Sequence, residues 1–214
     1  MYTKVKQAAL EKLAFDVKKH RYTYSGAVVP SVTQVLDHIM PPFFAPADVL
    51  EAARVRGTLV HYLTEVFDAG DDWHTPAKDC DLYQYIRAWE AFKQENQVSI
   101  LESEQKVFHS KILYAGTFDR LISAPHFWNG EATLLDIKTG HYMPEYALQT
   151  AAYVAAYNEG RTAKHHVKHR LIAVLGPTGS YTLFPLEDRE LGADFQTFLA
   201  GLTLASWRLK HGKP

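Results

Sequence analysis

The 214-residue sequence predicts an α/β fold in a single domain, with a central mixed β-sheet flanked by helices. Three observations predict it. Residues 1–97 carry mostly helical periodicity, residues 98–140 hold three consecutive strand-like runs, and a helical segment then leads into two further strands and a last helix. The order α…βββαβ(β)α describes an antiparallel meander followed by a crossover back to the same sheet. No Gly/Ser/Pro-rich linker divides the helical part (about 1–97) from the sheet-bearing part (about 98–209), and no internal repeat is present.

Each element has a local reason. Residues 4–14 pattern as a short helix, and HRYTYSGAVV (20–29) alternates as a hairpin turning at Ser25-Gly26. Ser31, with Gln34 three residues later, is a capping-box signature that starts a helix in PSVTQVLDHI. PPFFAP (41–46) forces an extended break, because proline fixes its own φ and restricts the residue before it. Residues 47–68 pattern as a long helix ending near DAGDD, and a polar loop follows. DLYQYIRAWEAFKQEN (81–96) is an amphipathic helix with Leu82, Tyr85, Trp89 and Phe92 on one stripe. Strands are expected at 98–109, 113–123 and 131–140, the last two joined by the hairpin dipeptide Asn129-Gly130. Residues 144–160 form a helix with Pro144 in its first turn and Gly160 past its end. Strands at 169–175 and in SYTLFPL, separated by the GPTGS turn, precede a closing helix over 188–209.

Composition narrows the function. The chain is 47% hydrophobic and 22% charged, enough for a substantial core. A formal net charge of −1 argues against a bulk polycation and leaves room for a local basic channel beside an acidic site. Cys80 is the single cysteine, which excludes an internal disulfide and a Cys-rich zinc or iron–sulfur site and fits a reducing cytoplasm. No apolar run approaches the ~20 residues a membrane-spanning helix needs, and the N-terminal stretch lacks the apolar core of a secretory signal. The expected location is cytoplasmic.

The chemistry concentrates in LLDIKTGHY (134–142). On a strand, Asp136 and Lys138 share one face and Leu135 and Ile137 the other. The plain reading is a surface ion pair; the alternative is a carboxylate and an ammonium held together for catalysis. The hairpin brings Asp119, at the end of YAGTFD, back towards Asp136, and two close carboxylates repel unless a cation lies between them. Glu102 and Glu104, which period two puts on one face, add acids on the preceding strand. Acidic oxygens from adjacent strands are what Mg²⁺ or Mn²⁺ requires, and a lysine beside such a site can position water and neutralise charge developing on phosphorus. On the helix containing ARVRGTLVHYLTEV, Arg54, Gly57, His61 and Glu65 share a face. Gly57 costs about 1 kcal/mol inside a helix, which suggests close approach of another group. Gln149 and Tyr153 share a face at i, i+4, as a polar element of the site or as a core tyrosine with a polar neighbour. Arg54, Arg56, KKHR (18–21) and KHHVKHR (164–170) are candidate phosphate contacts, KHGK (210–213) reads as a solvated face, and Tyr22, Tyr24 and Tyr142 are either stacking platforms or core.

Taken together and in order, RGTLVH, ESEQKVF, YAGTFDRL, LLDIKTG and QTAAY resemble the RecB-like branch of the PD-(D/E)XK nuclease superfamily. HRYTYSGAVVPSVTQVL further resembles the opening of small phage or prophage exonucleases of that branch, and the similarity runs from about residue 20 to 175. The resemblance implies a restriction-endonuclease-like core and a metal-dependent deoxyribonuclease using one or two Mg²⁺ or Mn²⁺ ions. It implies Asp119, Asp136 and the Ile137 carbonyl as metal ligands, with His61 from the helix and Glu104 from the first strand (Glu102 in reserve). Lys138 would be the catalytic lysine, and Gln149 and Tyr153 would support the site and touch DNA. Phe118 replaces the proline of the superfamily name, and the second acid is Asp, both familiar variants in the branch. The expected partners are single- or double-stranded DNA ends, with a recombination partner protein and the oligomeric state left open, in a bacterial or phage-infected cell. An end-acting exonuclease of recombination or repair is the first expectation; a structure-specific endonuclease and a non-catalytic DNA-end-binding subunit are the alternatives.

Overall fold

The computed structural model describes residues 4–16, 19, 21–40 and 44–211. Helix α1 (Lys4–Glu11) leads into a small antiparallel sheet of β1 (Leu13–Asp16), β2 (Arg21–Tyr24) and β3 (Ala27–Val29). The helix expected over 4–14 is thus shorter, because Leu13–Asp16 pairs in register with Arg21–Tyr24 and that non-local ladder overrides the local periodicity. The β2–β3 hairpin turns at Ser25-Gly26 as expected, with φ of 49° and 85°. Lys18 and His20 of KKHR, Pro41 to Phe43 of PPFFAP, and residues 212–214 lie outside the described residues.

The capping box forms at α2 (Val32–Ile39): the Ser31 hydroxyl accepts the Gln34 N–H, and the Gln34 side chain accepts the Ser31 N–H. The long helix is α3 (Ala47–Ala69). The segment expected as a polar loop instead contains α4 (His74–Asp79), whose ends are pinned because Trp73 and Ala77 are buried against α5 (Tyr83–Glu95). Leu82, Tyr85, Trp89 and Phe92 are buried together, as the amphipathic stripe requires.

The main sheet has the order β4 (Ser99–His109), β5 (Tyr114–Ser123), β6 (Thr133–Lys138), β7 (His169–Leu175), β8 (Tyr181–Leu186). β6 and β7 are parallel, joined across α6 (Glu145–Asn158); the other neighbours are antiparallel, and α7 (Leu191–His211) closes the chain. Asn129 and Gly130 do take the positive φ of a hairpin turn, 55° and 79°, and Glu131 N–H closes it on the Trp128 carbonyl at 3.0 Å. The strands do not run straight into that turn, however: β5 ends at Ser123 and β6 begins at Thr133.

Strand alternation splits the core across the sheet. Leu134 joins a cluster under α2, α6 and α7, whereas its neighbour Leu135 joins one under α3, α4 and α5. A third, smaller cluster seats the N-terminal sheet through Tyr22 and Val29 against Phe108 and Ala115. Among the described residues no helix is long and apolar enough to cross a membrane.

Candidate active site

The site forms where the middle of the sheet comes apart. β5 and β6 pair at Arg120↔Leu135, Leu121↔Leu134 and Ile122↔Thr133, and the ladder stops there. The next residues in that register are Asp119 and Asp136. On the other side, β4 pairs Ser103↔Arg120 and Gln105↔Phe118, which leaves Glu104 opposite Asp119. Three acids therefore lie in one row across three strands. Instead of an interstrand ladder bond, the Ile137 N–H donates to Asp119 Oδ2 at 2.5 Å.

Glu104 has φ +45°, inside a strand. That conformation costs an L side chain about 1–3 kcal/mol and persists where the surroundings over-determine it. Its effect is directional. Glu102 reaches α6, where its Oε1 accepts from the Tyr157 hydroxyl at 2.6 Å, while Glu104 reaches the α3 side of the sheet. Residues two apart on a regular strand would share a face; here only Glu104 arrives at the acidic row.

From α3, His61 places Nδ1 3.2 Å from Asp119 Oδ1 and 3.9 Å from Glu104 Oε1. One ligand atom each from His61, Glu104 and Asp119 lies within 4.8 Å of the others. Burial alone would lower the His61 imidazole, but the Asp119 and Glu104 carboxylates push it up to about 10. Asp119 shows the reverse balance: burial would raise it, and His61 and Lys138 hold it below the usual carboxylate range.

Asp136 and Lys138 face α6. Lys138 Nζ stands 2.7 Å from Asp136 Oδ2, 3.2 Å from Gln149 Oε1 and 4.6 Å from the centre of the Tyr146 ring. Gln149 in turn donates to the Tyr153 hydroxyl at 3.1 Å. Burial would lower the Lys138 ammonium, but Asp136 and Asp119 outweigh it and raise it. Burial pushes Asp136 up to about 6, with Lys138 pulling the other way and Asp119 adding to the rise. Asp136 is 1% exposed, and its Oδ2 is paired with the Lys138 ammonium at 2.7 Å. A buried carboxylate is costly unless it is paired, and Lys138 is the partner here. The two carboxylates and the imidazole of Glu104, Asp119 and His61, grouped around one point, fit a small divalent cation. These groups open into a cleft of about 300 Å³, whose opposite wall is Phe15, Tyr22, Ser31 and Thr33 from the N-terminal elements.

Other expected residues fall elsewhere. Arg54 is exposed and paired with Glu51. Arg56 lines a groove with Cys80 and Tyr85, apart from the cleft. Tyr22 is only 3% exposed and its hydroxyl bonds Thr117 at 2.7 Å, which selects the core reading of the two that the sequence allows. Tyr24 packs on Phe108, and Tyr142 stacks on Phe184. Within KHHVKHR, His169 is held between Asp188 and Glu131, and Arg170 is buried against Asp194, so these two are structural.

Two contributors escaped the sequence reading. Tyr146 lies under the Lys138 ammonium, which its place one turn before Gln149 could have suggested. Arg120 is fully buried and donates to Glu104 Oε1 at 3.2 Å and to the Asp119 carbonyl at 2.8 Å. Its signal was a charge in the interior of a strand otherwise set to be buried.

No protein-family model matches this sequence, and no curated protein does. Among solved structures, the chain is similar to a candidate exonuclease from Eubacterium rectale, at 11% identity and a TM-score of 0.54, over 87% of this chain and 82% of that one. The alkaline exonuclease LHK-Exo of Laribacter hongkongensis aligns at 15% identity with a TM-score of 0.40 (84% and 90% covered), and its complex with dAMP at 0.44 (86% and 90%). The likeness to the Eubacterium rectale structure is one of fold alone, that of a mixed sheet flanked by helices.

Proposed function

We propose that this chain is a divalent-metal-dependent deoxyribonuclease of the RecB-like PD-(D/E)XK branch, acting as an exonuclease at DNA ends in recombination or repair. The observation that carries the reading is the donor set of His61, Glu104 and Asp119 beside the buried Asp136–Lys138 pair. His61, Glu104, Asp119, Asp136 and the Ile137 carbonyl would hold Mg²⁺ or Mn²⁺. Bound there, the ion would polarise the phosphodiester and supply a hydroxide-like water at neutral pH.

The remaining roles belong to the chain. Lys138 presents N–H donors at the acidic row, where they neutralise charge growing on the phosphate or hold the attacking water. Gln149 fixes the direction of that ammonium by accepting one of its hydrogens, and Tyr153 fixes Gln149. Phe15, Tyr22 and Ser31 line the same cleft from the N-terminal elements. Hydrolysis breaks the bond from phosphorus to the leaving 3′-oxygen, which takes up a proton.

An end-labelled assay tests the reading, with linear single- and double-stranded DNA and a closed circle, in Mg²⁺, Mn²⁺ or EDTA. Metal-dependent loss of the linear substrates with the circle spared is expected. Cutting of the circle would make the enzyme an endonuclease with the same site, and DNA binding without cleavage would make it a binding module.

Gly57 gives an independent check on the substrate path. It lies one turn before His61, and a Cβ there would meet nothing within 4 Å, so no described protein group explains the glycine. Gly57→Ala is expected to stabilise the fold by about 1 kcal/mol, through helix propensity and a less free unfolded chain, and yet to weaken DNA binding. A higher melting temperature with unchanged DNA affinity would remove Gly57 from the path.

A further inference from the structure

The donor cluster is drawn from three elements, α3, β4 and β5, and a single buried side chain reaches all three. Arg120 has no exposed surface. One terminal nitrogen donates both to Glu104 Oε1 at 3.2 Å and to the Asp119 carbonyl at 2.8 Å. The other donates at 3.1 Å to the Thr64 hydroxyl, which itself donates at 2.7 Å to the His61 carbonyl. Its Nε donates to Asp68 Oδ2 at 3.0 Å, and Asp68 is anchored through its other oxygen by Trp89 Nε1 and Lys93 Nζ. Each of His61, Glu104 and Asp119 is thereby fixed, one through its carboxylate and two through their backbones.

We propose that Arg120 is the positioning residue of the site: its guanidinium, braced by Asp68, sets Glu104, Asp119 and His61 at the spacing a divalent cation requires. This rests on the metal-dependent reading above. Three features favour positioning over mere stability. A hydrophobic side chain of similar volume would fill the same space without holding a carboxylate, and buried ion pairs are often no more stabilising than such a replacement. Glu104 stands in a left-handed conformation, so its carboxylate needs a partner to stay on the α3 side, and Arg120 Nη1 is that partner. The guanidinium's fixed fork also suits four acceptors in different directions, which a lysine cannot reproduce.

The test uses the full chain stripped with EDTA, in wild-type form and as Arg120→Lys, Thr64→Val and Asp68→Asn. Melting reports folding, calorimetric titration with Mn²⁺ reports the site, and cleavage is followed against Mn²⁺ concentration. Partners that orient metal ligands typically change affinity by about 10–100-fold. Folded Arg120→Lys and Thr64→Val proteins are expected to bind Mn²⁺ at least ~10-fold more weakly, with cleavage partly rescued by higher Mn²⁺. Combined with Glu104→Gln, Arg120→Lys should add little further loss of affinity, because it acts in part through that carboxylate. Should Arg120→Lys fail to fold, Thr64→Val carries the test, since it removes one hydroxyl and keeps the shape. Variants that melt lower but bind Mn²⁺ as wild type does overturn the positioning role and leave the nuclease reading standing. A wild type that binds no Mn²⁺ overturns both.

Discussion

Asp119→Asn is expected to abolish cleavage and, with it, the thermal stabilisation expected of the wild-type protein on adding Mn²⁺. Asp119 is the one acid that faces both neighbours in the sheet, Glu104 across β4 and Asp136 across β6, and it also meets His61 at 3.2 Å. An asparagine keeps the shape and still offers a carbonyl oxygen to the Ile137 N–H, so the fold should survive. It loses the charge at the centre of the donor set. Lewis-acid stabilisation of the transition state is worth several kcal/mol, so the loss in rate should be at least about 10³-fold. Stability provides a readout free of catalysis. A ligand at a hundredfold excess over its Kd stabilises by about 2.7 kcal/mol, roughly 5–10 °C for a chain of this length. Wild type should show that shift on adding Mn²⁺, and Asp119→Asn should not. Near-normal cleavage by the variant, with the Mn²⁺ shift intact, would take Asp119 out of the site and leave it as a tie between α3 and the sheet.

Much of the fold is written locally. The apolar run HRLIAVL is a strand from His169 to Leu175 because four-to-eight-residue apolar runs between turn residues have few other options. The capping box at Ser31 is likewise a local signal that the structure keeps. What was misread depends on partners distant in sequence. Leu13–Asp16 continues the helical pattern of the residues before it, and only pairing with Arg21–Tyr24 makes it a strand. The loop after α3 becomes α4 because Trp73 and Ala77 find a place against α5.

The candidate site divides the same way. An antiparallel β5–β6 pair was enough to bring Asp119 towards Asp136, since register propagates along a ladder. Period two was enough to put Asp136 and Lys138 on one face, and they are 2.7 Å apart. Period two failed on β4, where Glu102 and Glu104 separate to opposite faces because φ turns positive at Glu104. Nothing in a glutamate's neighbours along the chain announces that conformation. Arg120 escaped for a related reason: an arginine in a strand reads as solvent-facing unless its acceptors are known, and its side-chain acceptors lie on α3 and β4, 16 to 56 residues away.

Lys138→Ala should separate catalysis from assembly, because charge predicts opposite effects on the two. The ammonium sits 2.7 Å from Asp136 Oδ2, the oxygen that a cation in the cleft would also seek. Lysine and metal therefore compete for that carboxylate and repel each other, and removing the lysine should leave Mn²⁺ affinity unchanged or higher. The same ammonium is the only lysine nitrogen lining the cleft, among the described residues, that can meet charge developing on phosphorus. Losing a preorganised donor of this kind typically costs about 10²–10³ in kcat. The expected result is a fall of that size in cleavage, with DNA affinity nearly retained and Mn²⁺ binding no weaker. Lys138→Arg should not restore the rate, since a planar fork cannot fit between Asp136, Gln149 and the Tyr146 ring as a compact ammonium does. If cleavage and Mn²⁺ affinity fall together, Lys138 is a counter-charge that keeps Asp136 in place, and the donor to the phosphate must be sought elsewhere in the cleft.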